Sequence, residues 1–205
     1  SSTASKYSCT VFSHSSFFSG KKIIDIGGKK KNKRGLFDIE KTGALVTYVN
    51  IEPSAEPDIL ADATNIPAPD GSFDGAIMGE LLEHVPDPKK VLREAKRILK
   101  PVGKMFITVP FTVGIHGDPF DFGRYTDTFW KKAAEELGLS VLEIKPQGTI
   151  FAVFALMLQH LFLAKRCSLR PIQIPLIKIL MWLDKKTTNP LLSSWTTGYG
   201  IIFEK

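Results

Sequence analysis

Apolar residues recur along this chain with two different periods, and the change from one to the other marks out the elements. Short apolar runs of strand length, rich in β-branched and aromatic residues, stand near 22–26, 45–51, 58–60 and 73–78. A helical pattern follows from Pro88 through Lys100, with Pro88 favourable as a first helical residue and Pro101 as the stop. Further on, the pattern predicts a strand at 104–109, a helix over Thr128–Leu137, a strand at 139–144 and a last strand at 199–203. Thr126 or Asp127 is placed to cap the second helix and Gly138 to close it. Strands of this kind interleaved with helices predict an α/β fold on a largely parallel sheet.

Two segments fall outside that alternation. Residues 1–20 form a small N-terminal cap segment in which Val11, Phe12, Phe17 and Phe18 are available to pack on the sheet. Between the last two strands, Ile150–Leu158 is continuously apolar and 161–164 extends it; after a basic linker at 165–171, a second apolar stretch spans 172–183, interrupted by Pro175 and Lys178. Neither stretch is long enough for a confident membrane span. The pattern predicts a helical insertion over 150–194, two helices at the mouth of a substrate site. Their apolar faces would lie on the sheet, in a dimer interface or against a membrane surface.

Composition leaves this scheme intact. The 205 residues, 43% hydrophobic and 23% charged, suit a single domain over 1–205. Cys9 and Cys167 make no disulfide framework, and the Ser-rich opening carries no long apolar signal segment, so a reducing cytoplasm is the expected setting, with peripheral membrane contact through 150–183. Net charge is +6, and Lys29, Lys30, Lys31, Lys33 and Arg34 cluster after a glycine pair. Such a run is a solvated basic loop or an attractor of nucleic acid, anionic lipid or phosphorylated substrates.

Candidate chemistry lies at the strand ends. Asp25 precedes Gly27-Gly28, Glu52 follows the second strand, and Asp62 and Asp74 follow in turn. A glycine turn lets backbone approach a ligand, and an acidic side chain ending the second strand accepts hydrogen bonds from both hydroxyls of a ribose. Ligands of open α/β sheets bind beyond the carboxyl ends of the strands. The residues themselves leave other roles open: Asp25 capping the following turn, Asp62 in an Asx-turn with Asn65, Asp74 merely starting a strand.

After Glu52 come Asp62-Ala63-Thr64-Asn65-Ile66-Pro67, Asp70-Gly71-Ser72-Phe73-Asp74, Leu82-Glu83-His84-Val85-Pro86-Asp87-Pro88 and LKPVGKMFITVP at Leu99–Pro110. On these motifs, Lys21–Pro110 resembles the class I S-adenosylmethionine-dependent methyltransferases. The resemblance resumes at His116–Trp130 and Trp195–Lys205, where the chain is similar to bacterial and archaeal methyltransferases of polysaccharide or surface-glycan assembly. It implies a Rossmann-like, seven-stranded mixed sheet ordered 3-2-1-4-5-7-6, its last strand antiparallel beside the sixth, and S-adenosyl-L-methionine as cofactor. It further implies that Asp25, Gly27 and Gly28 serve the methionine portion, Glu52 the ribose, and Asp62 with Ala63 the adenine edge, while Gly79 and Glu80 line the same pocket. The departure is the lysine run where the family continues with glycines.

The acceptor implied is a small molecule, glycan or lipid-linked group methylated on oxygen, with nitrogen second. His116, Asp118, Asp121 and Tyr125 stand in the loop after the fifth strand; His116 leads as general base, with Asp118 and Tyr125 beside it, unless His116 and Asp118 only bond the loop while Arg124 and Tyr125 anchor it. His84 reads as a helix-start or packing residue, and His14 and His160 have no companions at metal-ligand spacing, so no metal site is expected. A catalytically silent binding protein on the same fold and an RNA methyltransferase are the alternatives. A dehydrogenase is disfavoured because G-x-G-x-x-G is missing.

Overall fold

In a computed structural model of the chain, residues 15–30, 38–117, 120–164 and 170–205 are described. Seven strands form one sheet in the order β3-β2-β1-β4-β5-β7-β6: β1 Lys22–Ile26, β2 Leu45–Asn50, β3 Ile59–Leu60, β4 Phe73–Gly79, β5 Leu99–Pro110, β6 Ser140–Gln147 and β7 Gly198–Glu204. The first five pair in parallel, and β7 runs antiparallel to both β5 and β6. The predicted order and mixed sense of the sheet are those observed.

Alternation along the strands builds two cores. On one face lie Ile24, Ala76, Met78, Met105, Ile107, Ile201 and Phe203, covered by two helices. On the other lie Ile23, Ile77, Phe106 and Ile202, covered by Phe17 and Phe18 of the short α1 (Ser15–Phe18). Gly75 suits the close packing there, because a Cβ would come within 3.0 Å of Ile23 and 3.1 Å of the Phe17 ring and crowd both. Phe17 and Phe18 thus pack on the sheet as expected, whereas Val11 and Phe12 lie outside the described residues.

The helices end where local chemistry dictates. In α2 (Pro88–Ile98), the Asp87 carboxylate accepts from the N–H groups of Lys89 and Lys90, Pro88 opens the first turn, and Val91, Leu92, Ala95 and Ile98 form the buried stripe. It stops two residues before the predicted Lys100: Pro101 excludes its predecessor from helical backbone, and Leu99 already pairs with Phe73 in β5. α3 (Asp127–Leu137) is capped by Thr126, not Asp127, and ends on left-handed Gly138 as predicted. β6 extends past its predicted end to Gln147, paired along β7.

The insertion is a helical pair, α4 (Ile150–Ala164) and α5 (Arg170–Lys186), followed by the one-turn α6 (Pro190–Ser193). Pro175 and Lys178 do not break α5. Proline removes one N–H from a 17-residue helix, and packing against α4 outweighs that loss. Asp184 near the end of α5 accepts from the N–H and hydroxyl of Thr149 at 2.7 and 2.6 Å, just ahead of α4. Ala152, Val153, Ala155 and Leu156 are buried, while Phe154, Met157, Leu161, Leu176 and Ile179 remain exposed. No helix among the described residues is long and apolar enough to cross a membrane.

Candidate functional site

The carboxyl ends of β1 and β2 are joined by one side chain. Asn50, buried as the last residue of β2, donates its amide N–H groups to the carbonyls of Gly27 and Gly28, both at 3.0 Å, while its Oδ1 accepts from the N–H of Glu52 at 2.9 Å. Gly27 has φ +82° and donates to the Val49 carbonyl at 2.8 Å. Gly28 has no room for a side chain, because its Cβ would fall 2.2 Å from the Asp25 carboxylate. The turn is therefore bare backbone, fixed from below. Glu52 is exposed beside it, and its side chain makes no hydrogen bond or ion pair among the described residues. An unpaired carboxylate next to a glycine turn is available to a ligand's hydroxyls.

Asp62 is engaged locally: its Oδ1 accepts from the N–H and hydroxyl of Thr64, both at 2.7 Å, which hold the carboxyl below its ordinary range. The Asx-turn partner is Thr64 instead of Asn65, whose N–H goes to the Asp62 carbonyl at 3.0 Å. Ala63 packs on the core beside it. Asp74 bonds Lys22 N–H at 2.9 Å and pairs with Lys100 at 2.7 Å near the far end of the sheet, which makes it a structural residue. In the lysine loop, Lys30 forms an ion pair with Asp58, which also accepts from Tyr48 N–H at 2.8 Å. Lys31, Lys33 and Arg34 lie outside the described residues.

A second group of side chains gathers beyond β4 and β5. Gly79 ends β4 near the Thr108 hydroxyl, and Glu80 turns away with φ +51°, its N–H on the Thr108 carbonyl at 2.9 Å. Glu80 is surrounded by protein yet open to solvent, as on the floor of a cleft, and forms a depression with Val109, Pro110, Val113, Gln147, Thr197 and Gly198. Burial raises its carboxyl above the ordinary range, against the Thr108 hydroxyl bond and the nearby His116 and Arg124. Next to it Glu83 has a side chain only 1% exposed, pushed up to about 8 by burial and then by the Glu80 charge.

His116 and Arg124 close this side. Arg124 grips both Asp121 oxygens, and Asp121 also takes the His116 N–H at 2.9 Å; the arginine bonds hold Asp121 far below its usual range. The His84 and His116 rings meet edge to face at 5.2 Å between centroids. Tyr125 stacks on Phe129 at 4.3 Å and meets Trp130 at 5.4 Å; burial, then Asp87 and Glu83, raise its hydroxyl, so it stays protonated at neutral pH. That suits packing better than proton removal. Asp118 lies outside the described residues.

Sequence reasoning missed Asn50 and the meeting of Glu83 and His84 with His116. The available signal was positional: acidic and imidazole residues directly after β4, and another histidine after β5, its neighbour in the sheet.

A family model described as a methyltransferase domain matches residues 32–107. A structure of an S-adenosylmethionine-dependent methyltransferase from Archaeoglobus fulgidus superposes with a TM-score of 0.61 at 17% identity, covering 97% of this chain and 92% of that one. The chain has the class I methyltransferase fold. This methyltransferase fold is also that of the cyclase SpnF, at a TM-score of 0.62 and 14% identity over 97% of this chain and 80% of the other. Among curated relatives, the 27-O-demethylrifamycin SV methyltransferase of Amycolatopsis mediterranei is 42% identical over 62 residues, which are 28% of this chain and 23% of that protein. The chain therefore matches under a quarter of that relative's length. Family and fold imply S-adenosylmethionine as the cofactor of the methyltransferase fold, and the bare Gly27–Gly28 turn beside an unpaired Glu52 is a cradle of matching chemistry.

Proposed function

We propose that this protein transfers a methyl group from S-adenosylmethionine to an oxygen, and secondarily a nitrogen, of a small-molecule, glycan or lipid-linked acceptor. The observation that carries the reading is Glu52, whose backbone N–H is held through Asn50 to the side-chain-free turn at Gly28 while its carboxylate makes no bond among the described residues. In this reading Glu52 accepts from the ribose hydroxyls, Gly27 and Gly28 admit the methionine portion with Asp25 behind them, and the Asp62–Ala63 turn borders the adenine. Gly79 and Glu80 line the same cofactor pocket. The cofactor supplies a methyl carbon already activated by its sulfonium, so the protein's share is positioning and exclusion of water. His116, partly exposed beyond β5, is the leading group to take the acceptor's proton.

The acceptor class draws support from two sides. The relative's name places its methyl group on an oxygen, and the exposed apolar side chains of α4 and α5 suit an acceptor carried on a hydrophobic anchor, at the cytoplasmic face of a membrane. One observation favours a second reading: the cyclase SpnF has this fold, so a binding or non-methylating role remains open to it. RNA methylation is less favoured, because Lys30 of the basic run is already paired.

Calorimetry separates these readings. S-adenosylmethionine and S-adenosylhomocysteine should bind where NAD does not, and Glu52→Ala should weaken binding by about 1.5–3 kcal/mol, the range for a lost charge-assisted hydrogen bond. Unchanged affinity in the variant would remove Glu52 from the site. Binding without product formation across glycan and lipid-linked acceptors would favour the non-methylating role.

A further inference from the structure

The Glu83 carboxylate has 1% exposure, and neither oxygen has a hydrogen-bond partner among the described residues. Leaving such a group unsatisfied costs about 1–3 kcal/mol or more when it is charged. Arg124 gives its two terminal nitrogens to the Asp121 oxygens and makes no bond to Glu83, although its Nε also lacks a hydrogen-bond partner. What faces Glu83 is instead a pair of imidazoles. His84 Nε2 lies 3.6 Å from Glu83 Oε1, and one atom each from Glu83, His84 and His116 lie within 4.8 Å of one another.

Both imidazoles are oriented from behind by backbone carbonyls. His84 Nδ1 bonds the Phe120 carbonyl, and His116 Nδ1 lies 3.1 Å from the Gly114 carbonyl. A carbonyl oxygen only accepts, so in neutral His84 Nδ1 carries the hydrogen and Nε2 keeps its lone pair, whereas His116 Nδ1 meets both the Gly114 carbonyl and, at 3.4 Å, the donor Arg124 Nη2. His84 Nε2, a nitrogen of His116 and the Glu83 carboxyl thus converge, and backbone carbonyls commonly fix metal-binding histidines in this way. Two ligands about 2.0–2.1 Å from a shared ion stand roughly 3–3.5 Å apart. The 3.6 Å between His84 and Glu83 is near that range, and the His116 nitrogen lies within 4.8 Å of both.

We propose that Glu83, His84 and His116 bind a divalent transition-metal ion, with the Glu80 carboxylate adding negative charge beside it. Two imidazoles and a carboxylate suit zinc, manganese, iron or cobalt better than calcium, which prefers an all-oxygen shell. The ion explains why a carboxyl group is buried without a hydrogen-bond partner and why two imidazoles gather on it. Cation binding does not depend on methyl transfer. Where both occur, His116 is a ligand and not a base, and the ion takes over the lowering of an acceptor hydroxyl's proton affinity.

The test is calorimetric titration of the chelator-treated full chain with zinc and manganese chlorides, paired with cobalt absorption spectra. One ion per chain is expected, with ligand-field bands for cobalt, and affinity at least 10-fold weaker in Glu83→Gln and in His116→Ala. The side chain of His116 is 43% exposed, so its removal leaves the core intact if the buried Glu83 variant misfolds. Failure of all three ions to bind saturably, or binding unchanged in His116→Ala, overturns the inference. S-adenosylhomocysteine binding measured on the same samples keeps this outcome separate from the methyltransferase reading.

Discussion

At the residue scale, Asn50 does the most with the fewest atoms. Its amide donates to two carbonyls of the glycine turn and accepts from the Glu52 N–H, so one planar group fixes the spacing between the two halves of the proposed cofactor cradle. Asn50→Ala should destabilise the fold by about 1–3 kcal/mol and weaken S-adenosylhomocysteine binding. Asn50→Asp should do at least as much harm, because it keeps the acceptor for Glu52 but sets a carboxylate against two carbonyl oxygens. Thermal melts and calorimetry on both variants check this; an aspartate that restores binding would show that only the Glu52 contact matters. None of this was visible in the sequence, where Asn50 is simply the last residue of a β-rich run. The place of Glu52 just past the end of β2 was legible because strand-end acidity is a local feature. The Glu83–His84–His116 meeting was not, because it depends on β4 and β5 being neighbours.

At the element scale, the helical insertion depends on a cap supplied from a distance. The Asp184 carboxylate satisfies the N–H and hydroxyl of Thr149, both buried, and so ties the end of α5 to the start of α4. Asp184→Ala should cost about 1–3 kcal/mol and raise hydrogen exchange in the first turn of α4, while exchange in β1 and β4 stays near that of the parent protein. Uniform change across the molecule would instead make the insertion part of one cooperative unit with the sheet. Elements whose limits rest on local chemistry, such as α3 between Thr126 and Gly138, were readable from the chain. Ends set by pairing were not: α2 yields to β5 at Leu99 because Phe73 is its partner. The continuity of α5 through Pro175 reflects packing, which no window of sequence contains.

At the scale of the whole molecule, charge and apolar exposure act together. The chain carries +6, and Ile174, Ile179 and Trp182 on α5 are each more than half exposed. Co-flotation with anionic vesicles at low salt is expected to fall at least fivefold in an Ile174→Glu, Ile179→Glu variant, with cofactor binding intact. Equal flotation of parent and variant would leave charge alone responsible. The strand order of the sheet came from family resemblance and not from periodicity, which is blind to which strands are neighbours.

The antiparallel β7 has one more consequence. β6 and β7 pair from Ser140 opposite Glu204 up to Gln147 opposite Gly198, and the Thr197 N–H and the Thr196 hydroxyl both return to the Gln147 carbonyl, at 3.0 and 2.9 Å. Topologically the two strands are a hairpin, and residues 148–197 are its tip grown into a domain-like appendage. A graft at that point leaves every ladder rung in place, so descent can lengthen, shorten or exchange the appendage while the cradle at β1 and β2 stays untouched. In the proposed reading, specificity for the acceptor would be a cassette, separate from the strand ends that would hold the methyl donor.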